Sequence, residues 1–557
     1  MGTQTKTAKS FGAVSRKTET ERIQNYPALV VGGGIAGLTC AAYLCQNNIK
    51  TLLVEKSAKT GGLVNTFWHK GFAFDSGARA FENSGIICPM LRSLGIEIDF
   101  IENPVSIGIA LDWINLNSKA SVNDYGALLK RYFPEQMTEI NHIVYVISEI
   151  MGYLDVIYGI DNPLFMDYKN NKAYLKSTLL PWFFKYLKSM HKIKKFNQPV
   201  YPFLRQFTRC EALIDLVAQH FFKDTPAFFA LSYFGLYLDY LYPVGGTGKL
   251  AETLTDYIIE NGGVIWTETK VDGVDQLQKR LTVTRTNQME LEAVVPLSEV
   301  GYEQLVWAAD QTTFYSLLKE PFTGKIERLR DLTANSQAAD SVLTLFIAVD
   351  RESECFRTTT GAHCFYTACP TGLSSIGHWG QNSVRDDDET SLYSWLKDYL
   401  AKTTYEISIP VLRDASLAPY GQTGLVVSTL IDYELVKHFL SRGQYKEFKD
   451  YCIEQVISVL EQSIFPGLRY QIIFVICGTP VTIERRTGNK QGGIAGWSFA
   501  NPTVPSITQF TKMTKSINTP LPDIYQCGQW TFSPAGIPTA ILTGKLAADA
   551  VTKTLKR

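Results

Sequence analysis

Two groups of small residues, far apart in the chain, have types and spacing that could do chemistry. The first is Gly32-Gly33-Gly34-Ile35-Ala36-Gly37, with an acid, Glu55, further on, then Lys56 and the pair Gly61-Gly62. The second runs from Gly528 to Pro538 and contains Gly536 and Ile537. The first group spells G-x-G-x-x-G. Gly32 permits a tight turn, Gly34 lets backbone approach a pyrophosphate, and Gly37 lets a helix pack close. Glu55 stands near the spacing expected of an acid that accepts from ribose hydroxyls, which suits an unphosphorylated ribose. The chemistry implied is the holding of a dinucleotide.

Such residues need elements to position them. Ala28 to Val31 is a short apolar run that suits a buried parallel strand, and Leu38 to Leu44 continues the turn as a helix. The N-terminal dipole of that helix faces the phosphates. Thr51 to Val54 reads as a second strand ending at Glu55. Further segments follow: Phe72-Ala73-Phe74-Asp75-Ser76-Gly77, then Tyr242-Pro243-Val244-Gly245-Gly246 before a helix over Leu250 to Glu260. A strand is expected from Val264 to Glu268 and another from Leu305 to Asp310. Gly478-Thr479-Pro480-Val481-Thr482 precedes the second glycine group.

With these segments in view, the chain resembles the flavin amine-oxidase and phytoene-desaturase superfamily. Within it the likeness is to carotenoid desaturases, carotenoid isomerases and retinol saturases. Counterparts of their second glycine pair and of their F-D-x-G, Y-P-x-G-G, G-T-P-x-T and C-terminal G-x-x-T-F-P-G-x-G-x-P segments are all present. One departure stands out: Ser533-Pro534 replaces the usual Pro-Gly. The resemblance spans residues 26–125 and 240–557.

The resemblance implies an α/β chain with a discontinuous Rossmann-like FAD-binding domain (26–100, 240–312 and 515–557). It implies a mixed β-sheet substrate domain (101–125 and 313–514) and a helical cap (126–239). Strands of the substrate domain are expected around Ala110 to Trp113, Val342 to Val349 and Gly424 to Ile431. FAD would be held non-covalently by Gly32, Gly34, Ala36 and Gly37, by Glu55 and Lys56, and by Gly61 and Gly62. Val271 matches the adenine-side valine. Gly528 lies at the C-terminal turn, and the Gly536 and Ile537 amides would meet the flavin N1/O2 edge, with Pro538 at the first helical position. The implied substrate is a lipophilic polyene, a carotenoid or retinoid that is desaturated, saturated or isomerised.

Catalytic side chains are less sharply marked. Arg79 would face the flavin from the substrate side, or serve as a structural arginine. His69, His363 and His378 are further titratable groups, none in a triad-like context. Arg485-Arg486 would suit a carboxylate, or form a solvated pair. Two other classes fit the fold: a flavin amine oxidase, and a non-enzymatic prenyl-protein carrier resembling GDP dissociation inhibitors. The intact glycine set with Glu55 opposes the carrier.

Composition bounds the rest. A chain of 557 residues, 45% hydrophobic and 19% charged, suits a well-cored protein of two or three domains. The balance of 54 basic against 54 acidic residues gives no reason to invoke nucleic acid. Ten scattered cysteines without C-x-x-C suit a reducing cytosol and give no metal spacing. No apolar run is expected to cross a membrane, and residues 1–25 read as a disordered tail or a short targeting segment. Leu175 to Phe196 mixes wide rings with Lys176, Lys185, Lys188, Lys192, Lys194 and Lys195, a pattern for peripheral membrane contact. Phe221-Phe222, Phe228-Phe229 and Tyr233-Phe234 would line an apolar tunnel, or fill the cap's own core.

Overall fold

A computed structural model describes residues 23–166, 172–286, 294–321, 324–379 and 389–557. Its first sheet has seven strands. In order they are Val264–Trp266, Thr51–Val54, Gln24–Val31, Val294–Trp307, Arg280–Thr286 and Thr269–Asp275, with Ile524–Gln526 also paired to Val294–Trp307. The strands Gln24–Val31, Thr51–Val54, Val264–Trp266 and Ile524–Gln526 join through parallel pairings. Ala28, Leu29, Val30 and Leu52 are fully buried, as a sheet covered on both faces requires. The helix Ile35–Gln46 covers one face, and the C-terminal helix Ile537–Leu555 packs along it.

The second sheet is mixed. Its order is Ile472–Gly478, Ser341–Val349, Thr423–Ile431, Thr404–Ser408, His363–Thr367, Val105–Ile109 and Asp112–Leu116, and only His363–Thr367 with Val105–Ile109 is parallel. One face packs on the helices Glu389–Lys402 and Tyr445–Ser463 in an apolar core. The other looks toward the cap, whose helices Met137–Ile157, Glu211–Ala218 and Ala227–Leu236 have a core of their own. A three-stranded sheet, Phe81–Glu82, Tyr240–Pro243 and Phe100–Glu102, joins these parts.

Several boundaries differ from the sequence-based expectation. Gln24 and Asn25 belong to the first strand, paired with Val300 and Gly301, so the expected tail is shorter; residues 1–22 lie outside the described residues. Ala110, expected in a strand, has φ 50° and turns the hairpin between Val105–Ile109 and Asp112–Leu116. Residues from 313 onward were expected in the substrate domain. Asp310 caps the helix Gln311–Leu317 through Thr313 N (2.8 Å), which folds Phe314, Tyr315 and Ile326 back onto the first sheet. Among the described residues one helical stretch, Pro134–Ile157, is long and apolar enough to cross a membrane, contrary to the expectation. Its apolar stripe, with Ile140, Ile143, Ile147 and Ile150, lies in the cap core. All ten cysteines are free.

Candidate functional site

The glycine turn is shaped by backbone contacts. Gly32 has φ +105°, and a Cβ there would stand 2.8 Å from Ala308 O. A Cβ on Gly37 would stand 1.9 Å from Gly32 O, so only glycine lets the helix seat on the turn. Gly34 differs: an added Cβ would meet nothing within 4 Å. That open space lies at the start of a helix with no side-chain cap and no acid in its first turn. Its first amides therefore await an acceptor, as a phosphate-binding helix requires. Gly61 N donates to Gly33 O (2.7 Å), and a Cβ on Gly62 would come 3.4 Å from Gly34 Cα, which brings the second glycine pair to the same opening.

Glu55 organises this turn. Its two carboxylate oxygens accept from Gly33 N and Ser57 N, both at 2.7 Å. Each oxygen keeps acceptor capacity for a ribose hydroxyl. Thr269 N donates to Glu55 O (2.9 Å), so the strand carrying Val271 hangs from the acid's own backbone. Val271 is buried in the cluster that holds Val31 and Val54. Lys56 is exposed and reaches Arg485 O at 3.4 Å, away from the glycine turn. Ala36 is buried against the C-terminal segment: a Cβ on Gly544 would come 2.5 Å from Ala36 O and one on Gly528 3.3 Å from Ala36 Cβ. Gly544 was missed in the sequence because it lies inside a helix, outside any motif.

The second glycine group meets the first in space. Gly528 N donates to Thr543 Oγ1 and Cys527 N to Trp307 O (2.9 and 3.0 Å), which fixes the C-terminal helix beside the long strand. Gly536 is the N-cap of that helix, again without a side-chain cap or an acid in the first turn; Ile537 takes the first helical position expected of Pro538, which stands second. Gly536 is exposed with extended backbone (φ 173°), and an added Cβ would approach only Glu82 Oε1 (3.4 Å) and Pro538 Cδ (3.8 Å). The Ser533–Pro534 bond, at the departure noted above, is cis. Two uncapped helix starts and an open glycine turn fit a dinucleotide cofactor whose phosphates and ring edge need donors.

Between this site and the second sheet lies an aromatic seam. Tyr233, Tyr237 and Tyr240 stand in ring contact at 5.5 and 5.4 Å; Tyr237 also meets Phe365 at 5.0 Å, and Tyr240 stacks on His363 at 5.8 Å. A cavity of about 20 Å³ opens beside Phe365 and His220. Of the rings expected to line a tunnel, Phe228 and Phe234 fill the cap core, while Tyr233 stays half-buried on the seam.

A buried polar cluster flanks the seam. Arg413 donates to Asn103 Oδ1 (3.0 Å), which turns the Asn103 amide nitrogen toward His363 Nδ1 (2.9 Å). His363 Nδ1 must then accept, so its proton sits on Nε2 and is donated to Glu406 Oε1 (3.0 Å). Burial pushes the His363 imidazole down and keeps it neutral. Burial alone would push Glu406 up, but the His363 hydrogen bond and the nearby Arg79 and Arg413 guanidinia hold it below its ordinary value. Arg79 is almost fully buried; it donates to Asp75 O (2.6 Å), Gly77 O (2.5 Å) and Ser428 Oγ (2.8 Å), strapping the F-D-x-G segment to the second sheet. Asp75 in turn accepts from Thr66, Thr247 and Tyr242.

The other expected groups lie elsewhere. His69 packs on Phe474, and His378 is exposed beside Trp379. Arg485 and Arg486 are exposed in the last turn of Pro480–Thr487, whose start Thr479 caps in a capping box with Thr482. Among the described residues no group of histidine, cysteine, aspartate or glutamate could hold a metal ion.

Residues 35–552 match the family of flavin containing amine oxidoreductases, and the chain belongs to that family. It is an FAD-dependent oxidoreductase. The chain is similar to the chloroplastic prolycopene isomerase of Daucus carota, 23% identical over 95% of this chain and 80% of that protein. It is also similar to the all-trans-retinol 13,14-reductase of Danio rerio, 21% identical over 95% and 86% of the two chains. The 4,4'-diaponeurosporene oxygenase of Staphylococcus haemolyticus is 22% identical over 94% and 96%. Among solved structures, an oxidoreductase from Methanosarcina mazei aligns with a TM-score of 0.56 at 13% identity, over 95% of this chain and all of that one. Putrescine oxidase bound to putrescine aligns with a TM-score of 0.56 at 10% identity, over 96% and 99% of the two chains. These structures share the fold.

Proposed function

We propose that the protein uses FAD to transform carbon–carbon bonds of a lipophilic polyene of carotenoid or retinoid class. The observation that carries this reading is the continuous ring seam from Tyr233 to His363, next to the cofactor opening. A polyene offers almost no polar handle, so its binding has to come from such surfaces. Relatives with polyene names, similar over nearly the whole chain, support it. Bound FAD would supply a two-electron acceptor or donor. Gly32, Gly34 and Gly37 with Gly61 and Gly62 would seat its phosphates, Glu55 its ribose, and the Gly536 and Ile537 amides its ring edge. The test is anaerobic incubation of the holoenzyme with carotenoids and retinoids, in both flavin redox states, read by chromatography for mass change or isomer change. Conversion of one of them is expected. If amines alone are oxidised, with peroxide released, the amine-oxidase reading replaces this one.

The cap would meet a membrane. Leu180, Phe183, Phe184 and Leu187 on the helix Leu180–Ile193 are exposed, with lysines beside them. Trp182 is turned inward and donates to Val156 O (2.5 Å), so it does not belong to that patch. Rings flanked by lysines suit an anionic bilayer surface. Liposome flotation should show binding that strengthens with anionic lipid and falls in the Phe183→Ser/Phe184→Ser/Leu187→Ser variant. A wild type that stays soluble with every lipid mixture removes the proposal.

A further inference from the structure

A carboxylate that no motif marks stands at the mouth of the site. Glu82 ends the two-residue strand Phe81–Glu82 and lies directly opposite Tyr240 in the three-stranded sheet. Its Oε1 is the atom nearest to where a side chain on Gly536 would begin, 3.4 Å away. Glu82 is half-buried, with part of its side chain left open. It takes no hydrogen bond from any other described residue and has no cation beside it. The groups around it are Asp239, Tyr158, Tyr233 and Tyr240, none of them positive. Nothing in the first turn of the C-terminal helix is charged.

Burial pushes the Glu82 carboxyl up to about 7, against its own amide, and the nearby Asp239 charge pushes the same way. Glu406, at the other end of the Tyr240–His363 stack, has the opposite surroundings: a hydrogen-bond donor and two guanidinia that keep it ionised. Two carboxyls in one interior, one held charged and the other left to titrate near neutrality, divide the labour of acid and base. The free one is beside Gly536, and the fixed one is built into the scaffold.

We propose that Glu82 is the proton-exchanging residue of the reaction on the polyene. The proposal rests on the polyene reading. In the desaturating direction a hydride would leave one carbon for bound FAD, the two-electron acceptor. The adjacent C–H bond then breaks toward the Glu82 carboxylate: its electron pair becomes the new π bond, and an O–H bond forms on Glu82. Saturation is the same exchange reversed, with the Glu82 proton delivered to carbon. Asp75, which is fully buried, cannot share this role, because its oxygens are occupied by Thr66, Thr247 and Tyr242.

The first test needs no substrate. The visible flavin band of the holoenzyme is titrated from acid to alkaline pH in the wild type and in Glu82→Gln, Glu82→Asp and Glu406→Gln. A one-proton transition near pH 7 is expected in the wild type, absent in Glu82→Gln, and displaced but present in Glu82→Asp. Glu406→Gln should keep it. The second test is the pH profile of turnover: Glu82→Gln should lose the limb near 7 along with at least tenfold of the rate, and Glu82→Asp should restore part of both. The proposal falls if the transition persists in Glu82→Gln, or if turnover drops equally at all pH values with the limb unmoved. If Glu82→Gln fails to retain flavin, Glu82→Asp decides alone: an unmoved transition overturns the proposal. Loss of the spectral transition in a protein that converts no polyene leaves Glu82 beside the flavin and removes the substrate reading instead.

Discussion

The cofactor cradle and the interior beneath it are built in opposite ways. The cradle is backbone: amides of Gly33 and Ser57 on Glu55, uncapped helix starts at Gly34 and Gly536, and glycines whose missing Cβ atoms make the room. The interior is side chains: tyrosines of the cap and of the strand that follows it, a histidine and glutamate from neighbouring strands of the second sheet, and guanidinia from two distant loops. Backbone geometry tolerates one solution at each position, so a glycine motif fixes the cofactor. A side-chain lining can be repacked without losing the fold. The same frame can therefore carry substrates as different as the names of its relatives.

That contrast can be broken by substitution. The largest effect is expected at Gly37: the alanine variant drives a methyl into Gly32 O, costs about 3 kcal/mol or more, and should yield protein without flavin absorbance. Gly536→Ala meets no such obstacle in the chain itself, so its thermal midpoint should hold while FAD retention falls. If both variants behave alike, the two glycines do the same structural work and the contrast is lost. Arg79→Ala comes next. It leaves Asp75 O, Gly77 O and Ser428 Oγ without their donor and removes a buried cation near Glu406, a loss of about 3 kcal/mol in denaturant titration. An unchanged midpoint with slowed turnover would return Arg79 to the role of a flavin-facing catalytic group.

Glu55→Ala should weaken FAD binding by about 1.5–3 kcal/mol, the worth of hydrogen bonds to a charged acceptor. Unaltered affinity in equilibrium dialysis would take Glu55 out of the site. The smallest effect is at Glu82. Its carboxyl titrates near 7 in the folded chain against 4.5 for an ordinary glutamate, so the folded state holds the extra proton between those values. Stability contributed by this group is therefore highest at acid pH and declines as pH rises from about 4.5 to about 7. Glu82→Gln should thus unfold at a higher temperature than wild type at pH 8 and at the same temperature at pH 4.5. Equal curves at both pH values would mean that Glu82 is fully hydrated.

Much of the cradle was legible in the sequence because its determinants are local. The turn at Gly32, the strand from Thr51 to Val54 and the helix start after Gly536 each declare themselves within ten residues. Glu82 and Glu406 were not legible, since nothing near either residue distinguishes it from a surface glutamate. Each acquires its character from partners brought by the fold: Asp239 and Tyr240 for one, His363 and Arg413 for the other. His363 was noticed for its type, but its tautomer follows only from Arg413 fixing the Asn103 amide. Trp182 shows the reverse error. Composition placed it with Phe183 and Phe184, and helical periodicity turned it toward Val156 instead.

The pairing of the first helix with the last has a consequence in time. The surface of Ile35–Gln46 that receives Gly544 and Ala540 is apolar, and its partner, Ile537–Leu555, is made long after it. At about 5–20 residues per second, a ribosome takes about 25–100 s to travel between the two helices. The long strand that flanks Gln24–Val31 arrives roughly midway through that interval, and Ile524–Gln526 shortly before the second helix. Throughout that interval the nascent chain carries an unmatched apolar helix and a half-built parallel sheet. Until Ile537–Leu555 has been made, the nascent chain lacks one wall of the cofactor cradle.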